Sequence, residues 1–121
     1  MLVAIYNRTF EEDDIPLIQL ILQKLKDHQL QMVFFKDFYD RIAAHIPFPY
    51  TPRIFTSKRD LPTNTDMLFS LGGDGTLLDT ISYVGSSNIP IIGINLGRLG
   101  FLAAIPIDEV ENAVLSLVRG S

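Results

Sequence analysis

The strongest constraint on the fold of this chain is a regular alternation of short apolar runs with amphipathic segments. Runs rich in β-branched and aromatic residues predict buried strands. Four such runs occupy residues 2–6, 30–35, 66–71 and 89–94, and a short fifth strand is expected at 53–56, inside a proline-rich loop over 47–65. This alternation favours an α/β fold that is doubly wound, with a mostly parallel sheet and helices on both faces.

The segments between these strands carry apolar residues at the three- and four-residue spacing of a helix face. The first predicted helix covers residues 11–29, with acids at its start, Pro16 in its first turn and lysines near its end. Further helices are predicted over residues 36–46, over 75–84 and between Asp108 and Gly120. The chain therefore reads as one domain of βα units.

One predicted turn between a strand and a helix holds the residues that suggest chemistry: Gly72, Gly73, Asp74, Gly75 and Thr76. Unpaired backbone N–H groups at a helix start favour an anion, and glycines let a phosphate approach them closely. The turn fits neither GxxxxGK[ST] nor GxGxxG, because no lysine follows Gly75 and Leu78 replaces the third glycine. We predict a phosphate-binding loop of another kind.

The aspartate of this loop needs its own explanation, because a carboxylate repels bound phosphates unless a cation or a proton offsets its charge. Asp74 can join a Mg²⁺ ion to the phosphates, or accept the proton of a hydroxyl that attacks phosphorus. Both roles indicate a kinase. The structural alternative is that Asp74 or Thr76 only caps the helix while the glycines form a tight turn.

Composition disfavours several other classes of function. Ten basic and 14 acidic residues give a formal net charge of −4, which argues against nucleic-acid and anionic-membrane partners. The chain has no cysteine, and His28 and His45 have no partner at metal-ligand spacing, so no structural metal site is predicted. No apolar run approaches the roughly 20 residues of a membrane span, and we expect a cytoplasmic protein.

Two stretches of the sequence resemble the motifs of one enzyme family. LGGDGTLLDT, residues 71–80, resembles a signature shared by NAD kinases, lipid kinases and, more distantly, 6-phosphofructokinases. GINLGRLGFL, residues 93–102, resembles the NAD kinase pattern GxNxGxLGFL, which lipid kinases lack. By this resemblance residues 1–121 are identified as the N-terminal α/β nucleotide-binding domain of an NAD kinase, without the family's largely β C-terminal domain.

The resemblance implies an activity and roles for the first motif. NAD kinases use a divalent cation, expected to be Mg²⁺, and ATP or inorganic polyphosphate to phosphorylate the 2′-hydroxyl of the adenosine ribose of NAD, which gives NADP. Asp74 would accept the hydroxyl proton and, with Gly75, contact NAD. Gly72, Gly73 and Thr76 would shape the phosphate side of the cleft.

The resemblance also implies roles for the second motif. Asn95 and Gly97 would build a turn, and Leu99, Gly100 and Phe101 would line the adenosine pocket. Taken without the family, the same residues read as a turn with Phe101 as an ordinary core aromatic. The family further implies a homo-oligomer of full-length chains, a dimer or a tetramer, and near inactivity of this fragment alone.

Three positions vary or depart from the family pattern, and two rival functions stay open. Asp79 stands where some relatives carry a basic residue, Ala103 replaces a common threonine, and Arg98 is interpreted as a solvated surface residue.

The first rival function is that of a lipid kinase domain, which the second motif and the lack of a basic amphipathic segment oppose. The second is a nucleotide-binding module without turnover, which the family's Asn-Glu motif elsewhere in the gene would oppose.

Overall fold

Strands and helices alternate through the described residues of the chain. The structure is a computed structural model and describes residues 1–49, 51–72, 74–84, 89–96 and Asn112. The strands are β1 (Leu2–Tyr6), β2 (Gln31–Phe35), β3 (Arg53–Phe55), β4 (Met67–Gly72) and β5 (Ile91–Asn95). The α-helices are α1 (Ile15–Asp27), α2 (Lys36–Ile42) and α3 (Asp74–Val84).

The sheet has the strand order β3-β2-β1-β4-β5, and each of its strand pairs is parallel. The chain builds outward from β1 on one side and from β4 on the other, so the direction of winding reverses between these two strands. In a doubly wound sheet such a reversal opens a crevice at the carboxyl ends of the strands. We call this the switch-point crevice, and it lies beyond Tyr6 and Ser70, which are opposite each other in the register.

Helices cover both faces of this sheet, as the sequence predicts. Helices α1 and α2 bury Ile21 and Phe38 in one core cluster with Phe69 of β4. Helix α3 lies on the opposite face, because Thr80 is hydrogen-bonded to Ser70, whose side chain alternates with that of Phe69. The predicted doubly wound α/β fold is confirmed.

The start of the first helix differs from the prediction. The acidic segment that follows residue 11 forms a separate 3-10 turn, Glu12–Asp14, and α1 begins at Ile15. The Asp14 carboxylate accepts a hydrogen bond from the backbone N–H of Glu11 at 2.9 Å. This local bond closes the turn, while Pro16 lies in the first turn of α1 as predicted.

The second helix is also shorter than predicted, because it ends at Ile42 rather than at residue 46. The backbone N–H groups of His45 and Ile46 both donate to the carbonyl oxygen of Ile42. The chain thus leaves the helix in a tight turn before Pro47, whose ring disfavours helical geometry in the residue ahead of it.

Two further expectations concern the last helix and membrane spans. The helix predicted between Asp108 and Gly120 lies outside the described residues except for Asn112, which is helical. Within the described part of the chain, no helix is both long and apolar enough to cross a membrane.

Candidate functional site at the switch-point crevice

The glycine-rich turn begins at the carboxyl end of β4, on one wall of the switch-point crevice. Gly72 ends the strand with φ +147°, a backbone conformation that side chains rarely allow. A Cβ at this position would lie 2.6 Å from Oγ1 of Thr76 and 3.0 Å from its Cβ. Both the backbone angle and the space therefore require glycine here.

Buried hydroxyl groups attach the first turns of α3 to β4. Oγ1 of Thr80 is hydrogen-bonded to Oγ of Ser70 at 2.9 Å and to the carbonyl oxygen of Thr76 at 2.7 Å. All three residues are buried. Because Thr76 and Thr80 are four residues apart, both lie on the helix face that meets the sheet. The N-terminus of α3 is thus held close to the end of β4.

Asn7 joins β1 to the base of the glycine-rich turn. Its side chain is fully buried, and Nδ2 donates a hydrogen bond of 2.7 Å to the carbonyl oxygen of Leu71. Its Oδ1 is buried and has no hydrogen-bond partner among the described residues. Asn7 was not predicted as a site residue, because an asparagine after an apolar run indicates only a turn. Its position at the end of the first strand is the signal that points to it.

Arg8 and Asp79 form an ion pair across the switch-point crevice. Nε of Arg8 lies 3.3 Å from Oδ2 of Asp79, and the two side chains are 59% and 43% exposed. The pair connects the end of β1 to the second turn of α3. The backbone carbonyl of Arg8 accepts a hydrogen bond of 2.6 Å from Nη2 of Arg41. Asp79, which stands where some relatives carry a basic residue, thus holds an arginine.

The predicted site residues fall partly within the described part of the chain. Gly72 ends β4, Asp74 and Gly75 begin α3, Thr76 is buried in its first turn, and Asn95 ends β5. Gly72 and Asn95 are opposite each other in the register, and the N–H of Leu96 donates to the carbonyl oxygen of Gly72. The starts of both motifs are therefore neighbours at one edge of the sheet.

The other predicted site residues lie outside the described residues: Gly73, Gly97, Leu99, Gly100 and Phe101. The same holds for Arg98 and Ala103. Their predicted roles stay predictions.

The family of the chain follows from comparison with known proteins. Residues 3–121 match the family model described as the ATP-NAD kinase N-terminal domain. The chain belongs to the NAD kinase family. A relative named NAD kinase from Cytophaga hutchinsonii is 42% identical over 122 aligned residues, which cover 100% of this chain and 41% of that protein. One from Christiangramia forsetii is 31% identical over 119 residues, which cover 98% of this chain and 40% of that protein.

This NAD kinase family member spans about two fifths of the length of those curated relatives, at 41% and 40%. Among solved structures, yeast NADH kinase complexed with NADH is similar, with a TM-score of 0.71 at 22% identity. The alignment covers 98% of this chain and 38% of the yeast chain. At this level of identity, the similarity establishes the shared fold.

Proposed function

We propose that the protein to which this domain belongs is an NAD kinase. It transfers the terminal phosphate of ATP or polyphosphate to the 2′-hydroxyl of the adenosine ribose of NAD, and the product is NADP. The observation that carries the proposal is the family match over residues 3–121. The position of the glycine-rich turn at a switch-point crevice supports it, because such crevices bind ligands in doubly wound sheets.

The described geometry suits phosphoryl transfer, a reaction in which positioning and charge stabilisation supply most of the rate. Helix α3 starts two residues after Gly72, whose backbone conformation other residues rarely adopt. Hydrogen bonds of buried hydroxyls hold the helix against β4. A helix terminus fixed in this way can hold its backbone N–H groups toward a phosphate without rearranging when the ligand binds.

We assign the proton transfer to Asp74, the first residue of α3. The ribose 2′-oxygen attacks the terminal phosphorus, the bond from that phosphorus to the bridging oxygen breaks, and the shortened donor leaves with the electron pair. The hydroxyl proton passes to the Asp74 carboxylate. A helix N-terminus stabilises a carboxylate by about 0.3–1 kcal/mol, so Asp74 is a weak base that accepts the proton late.

The other assignments follow the two motifs. Gly72, Gly73, Gly75 and Thr76 bind or shape the phosphate side, with Gly75 beside NAD. The second motif binds the adenosine through its members Asn95, Gly97, Leu99, Gly100 and Phe101. The register between Gly72 and Asn95 supports this division, because it brings the two motifs to adjacent strand ends.

A divalent cation, Mg²⁺, is part of the proposal and supplies charge stabilisation on the transferring phosphate when bound. Among the described residues, no group of three or more His, Cys, Asp or Glu side chains could hold a metal ion. Proteins usually hold Mg²⁺ through one or two carboxylates and the oxygens of substrate phosphates, so the substrates would supply most of its ligands here.

Further parts of the proposal concern the whole protein. A largely β C-terminal domain completes the site, so residues 1–121 alone have little activity. The full-length protein is a cytoplasmic dimer or tetramer with small-molecule nucleotides as its ligands, and neither nucleic acid nor membrane is a partner. The length of the relatives supports the further domain, and the net charge of −4 argues against nucleic acid and anionic membranes as partners.

The test is a phosphoryl-transfer assay of the full-length protein with ATP and Mg²⁺, in which NAD, NADH, diacylglycerol and sphingosine are offered in parallel. We expect NADP formation, with kcat reduced by about 10²- to 10⁴-fold in Asp74→Asn. Asp37→Asn is the matched control, because Asp37 lies in the first turn of α2, and it should keep full activity. Lipid phosphorylation would support the lipid kinase rival, and nucleotide binding without any transfer would support the non-catalytic module.

A further inference from the structure

A single basic residue occurs in the two stretches of sequence around β1 and around β4 and β5. Residues 1–23 include Arg8 as their one Lys, Arg or His, and residues 60–97 include none. Residues 11–14, in the connection after β1, are all acidic. A substrate with several phosphate charges thus meets one cationic side chain from these segments, in a setting that is otherwise negative.

The backbone of Arg8 is fixed at the crevice, while its side chain is not. The side chain of the preceding residue, Asn7, is bonded to Leu71, and the carbonyl oxygen of Arg8 accepts from Arg41. The guanidinium group makes one described contact, the exposed ion pair with Asp79 at 3.3 Å. Rotation about the side-chain bonds can therefore move the charge without moving the strand.

The contact with Asp79 is one that a phosphate can replace. Exposed ion pairs contribute little to stability, so an exchange of one oxyanion for another costs little. A phosphate accepts the planar guanidinium through two parallel hydrogen bonds and carries more charge than a carboxylate. Asp79 lies five residues after the start of α3, about 7.5 Å along the helix axis, so the guanidinium is held beside the second turn of this helix.

We propose that Arg8 is a phosphate-binding residue of this site and that Asp79 is its internal competitor. Without ligand, Asp79 holds the guanidinium, and a phosphate group of the substrate displaces Asp79 when it binds. The inference rests on the proposed function in one respect, namely that the phosphate belongs either to the phosphoryl donor or to the diphosphate of NAD.

The test compares the KM values for donor and for NAD, with kcat, in variants of the full-length protein. Arg8→Ala should raise one of the two KM values by about 10- to 100-fold, the loss expected for a charged hydrogen bond. Arg8→Lys should recover part of this loss, since lysine keeps the positive charge but cannot donate the two parallel hydrogen bonds of a guanidinium. A rise in the donor KM assigns the phosphate to the donor, and a rise in the NAD KM assigns it to the dinucleotide.

Asp79→Asn distinguishes a competitor from a supporting residue. It should lower the affected KM by about two- to fivefold, because it removes an exposed ion pair that opposes binding. The same change on the Arg8→Ala background should have no effect. Lys26→Ala is the control for loss of one positive charge. Lys26 lies in the last turn of α1, where the chain returns to the start of β2 and away from the carboxyl ends of the strands. Both KM values should stay unchanged in this variant.

Two results would overturn the inference. Unchanged KM values in a folded Arg8→Ala variant would remove Arg8 from the site, and a raised KM in Asp79→Asn would make Asp79 a support for Arg8 instead of a competitor. Calorimetric titration with inorganic tripolyphosphate gives an independent readout. If the wild type forms no NADP, the proposed function fails, yet a tenfold weaker tripolyphosphate Kd in Arg8→Ala would still support phosphate binding by Arg8.

Discussion

The two faces of the sheet hold their helices in different ways. On the face covered by α1 and α2, aromatic rings pack together, with centroid distances of 6.2 Å between Phe34 and Phe38 and 5.1 Å between Tyr39 and Phe48. Where α3 meets β4, the contacts include short hydroxyl side chains joined by hydrogen bonds. Both faces bury apolar side chains, and the hydroxyl contacts of the second face also fix a helix terminus. The position of the helix terminus thus depends on one of the two regions.

The largest expected effect on stability is on the aromatic face. Phe38 is fully buried in the core cluster, and Phe38→Ala should lower the free energy of unfolding by about 3–5 kcal/mol. Urea denaturation followed by circular dichroism measures the loss, and Phe38→Leu should lose less. The kcat of the folded fraction, measured in the full-length protein, should not change. A kcat that falls with the stability would mean that the two regions are coupled.

A smaller loss of stability, with a larger loss of activity, is expected at Gly72. Gly72→Ala should cost about 1–3 kcal/mol, because the backbone conformation is unfavourable for alanine and the new Cβ meets Oγ1 of Thr76 at 2.6 Å. The double variant Gly72→Ala with Thr76→Ala removes the 2.6 Å contact but keeps the Cβ contact at 3.0 Å and the backbone penalty. Thermal denaturation should therefore show that the double variant recovers part of the lost stability. NADP assays of the full-length protein measure the activity of both variants. Full activity in Gly72→Ala alone would argue against a fixed turn.

Loss of the hydroxyl contacts of α3 should lower the free energy of unfolding by less again. Thr80→Val keeps the side-chain shape but removes the bonds to Ser70 and Thr76, and we expect a loss of about 1–2 kcal/mol in unfolding free energy. Thr80→Ser keeps the hydroxyl and serves as the control. If the hydroxyl positions the helix, kcat/KM should fall in Thr80→Val and be largely retained in Thr80→Ser. Equal values in both variants would assign the contact to stability alone.

The smallest effect is expected in the loop between β3 and β4, which belongs to neither region. Hydrogen bonds from the backbone N–H groups of Ser57 and Thr56 hold the pKa of the Asp60 carboxyl below its ordinary value. Asp60 therefore favours folding at neutral pH, and this contribution disappears as the pH falls below about 4. The difference in unfolding free energy between wild type and Asp60→Asn should be small at pH 7 and smaller still at pH 3. A difference that grows on acidification would contradict this sign.

The fold could be predicted from the sequence because its strands are apolar runs and its helices have regular periodicity. The end of α2 could not be predicted from the sequence, because it depends on which backbone N–H groups donate to the carbonyl oxygen of Ile42. In the site, the glycines of the first motif are visible in the sequence. The contact of Asn7 and the pair of Arg8 with Asp79 are not, because they exist only once β1 and β4 are neighbours.

The hydrogen bond from Asn7 to Leu71 joins residues 64 positions apart in the chain. A nascent polypeptide can pair β1 with β2 early, but the crevice cannot exist on the ribosome until β4 has emerged and inserted beside β1. Non-local pairing of this kind is the slow part of folding. A nucleotide that binds at the crevice therefore stabilises only chains that have completed this step, and so draws late folding intermediates toward the native state.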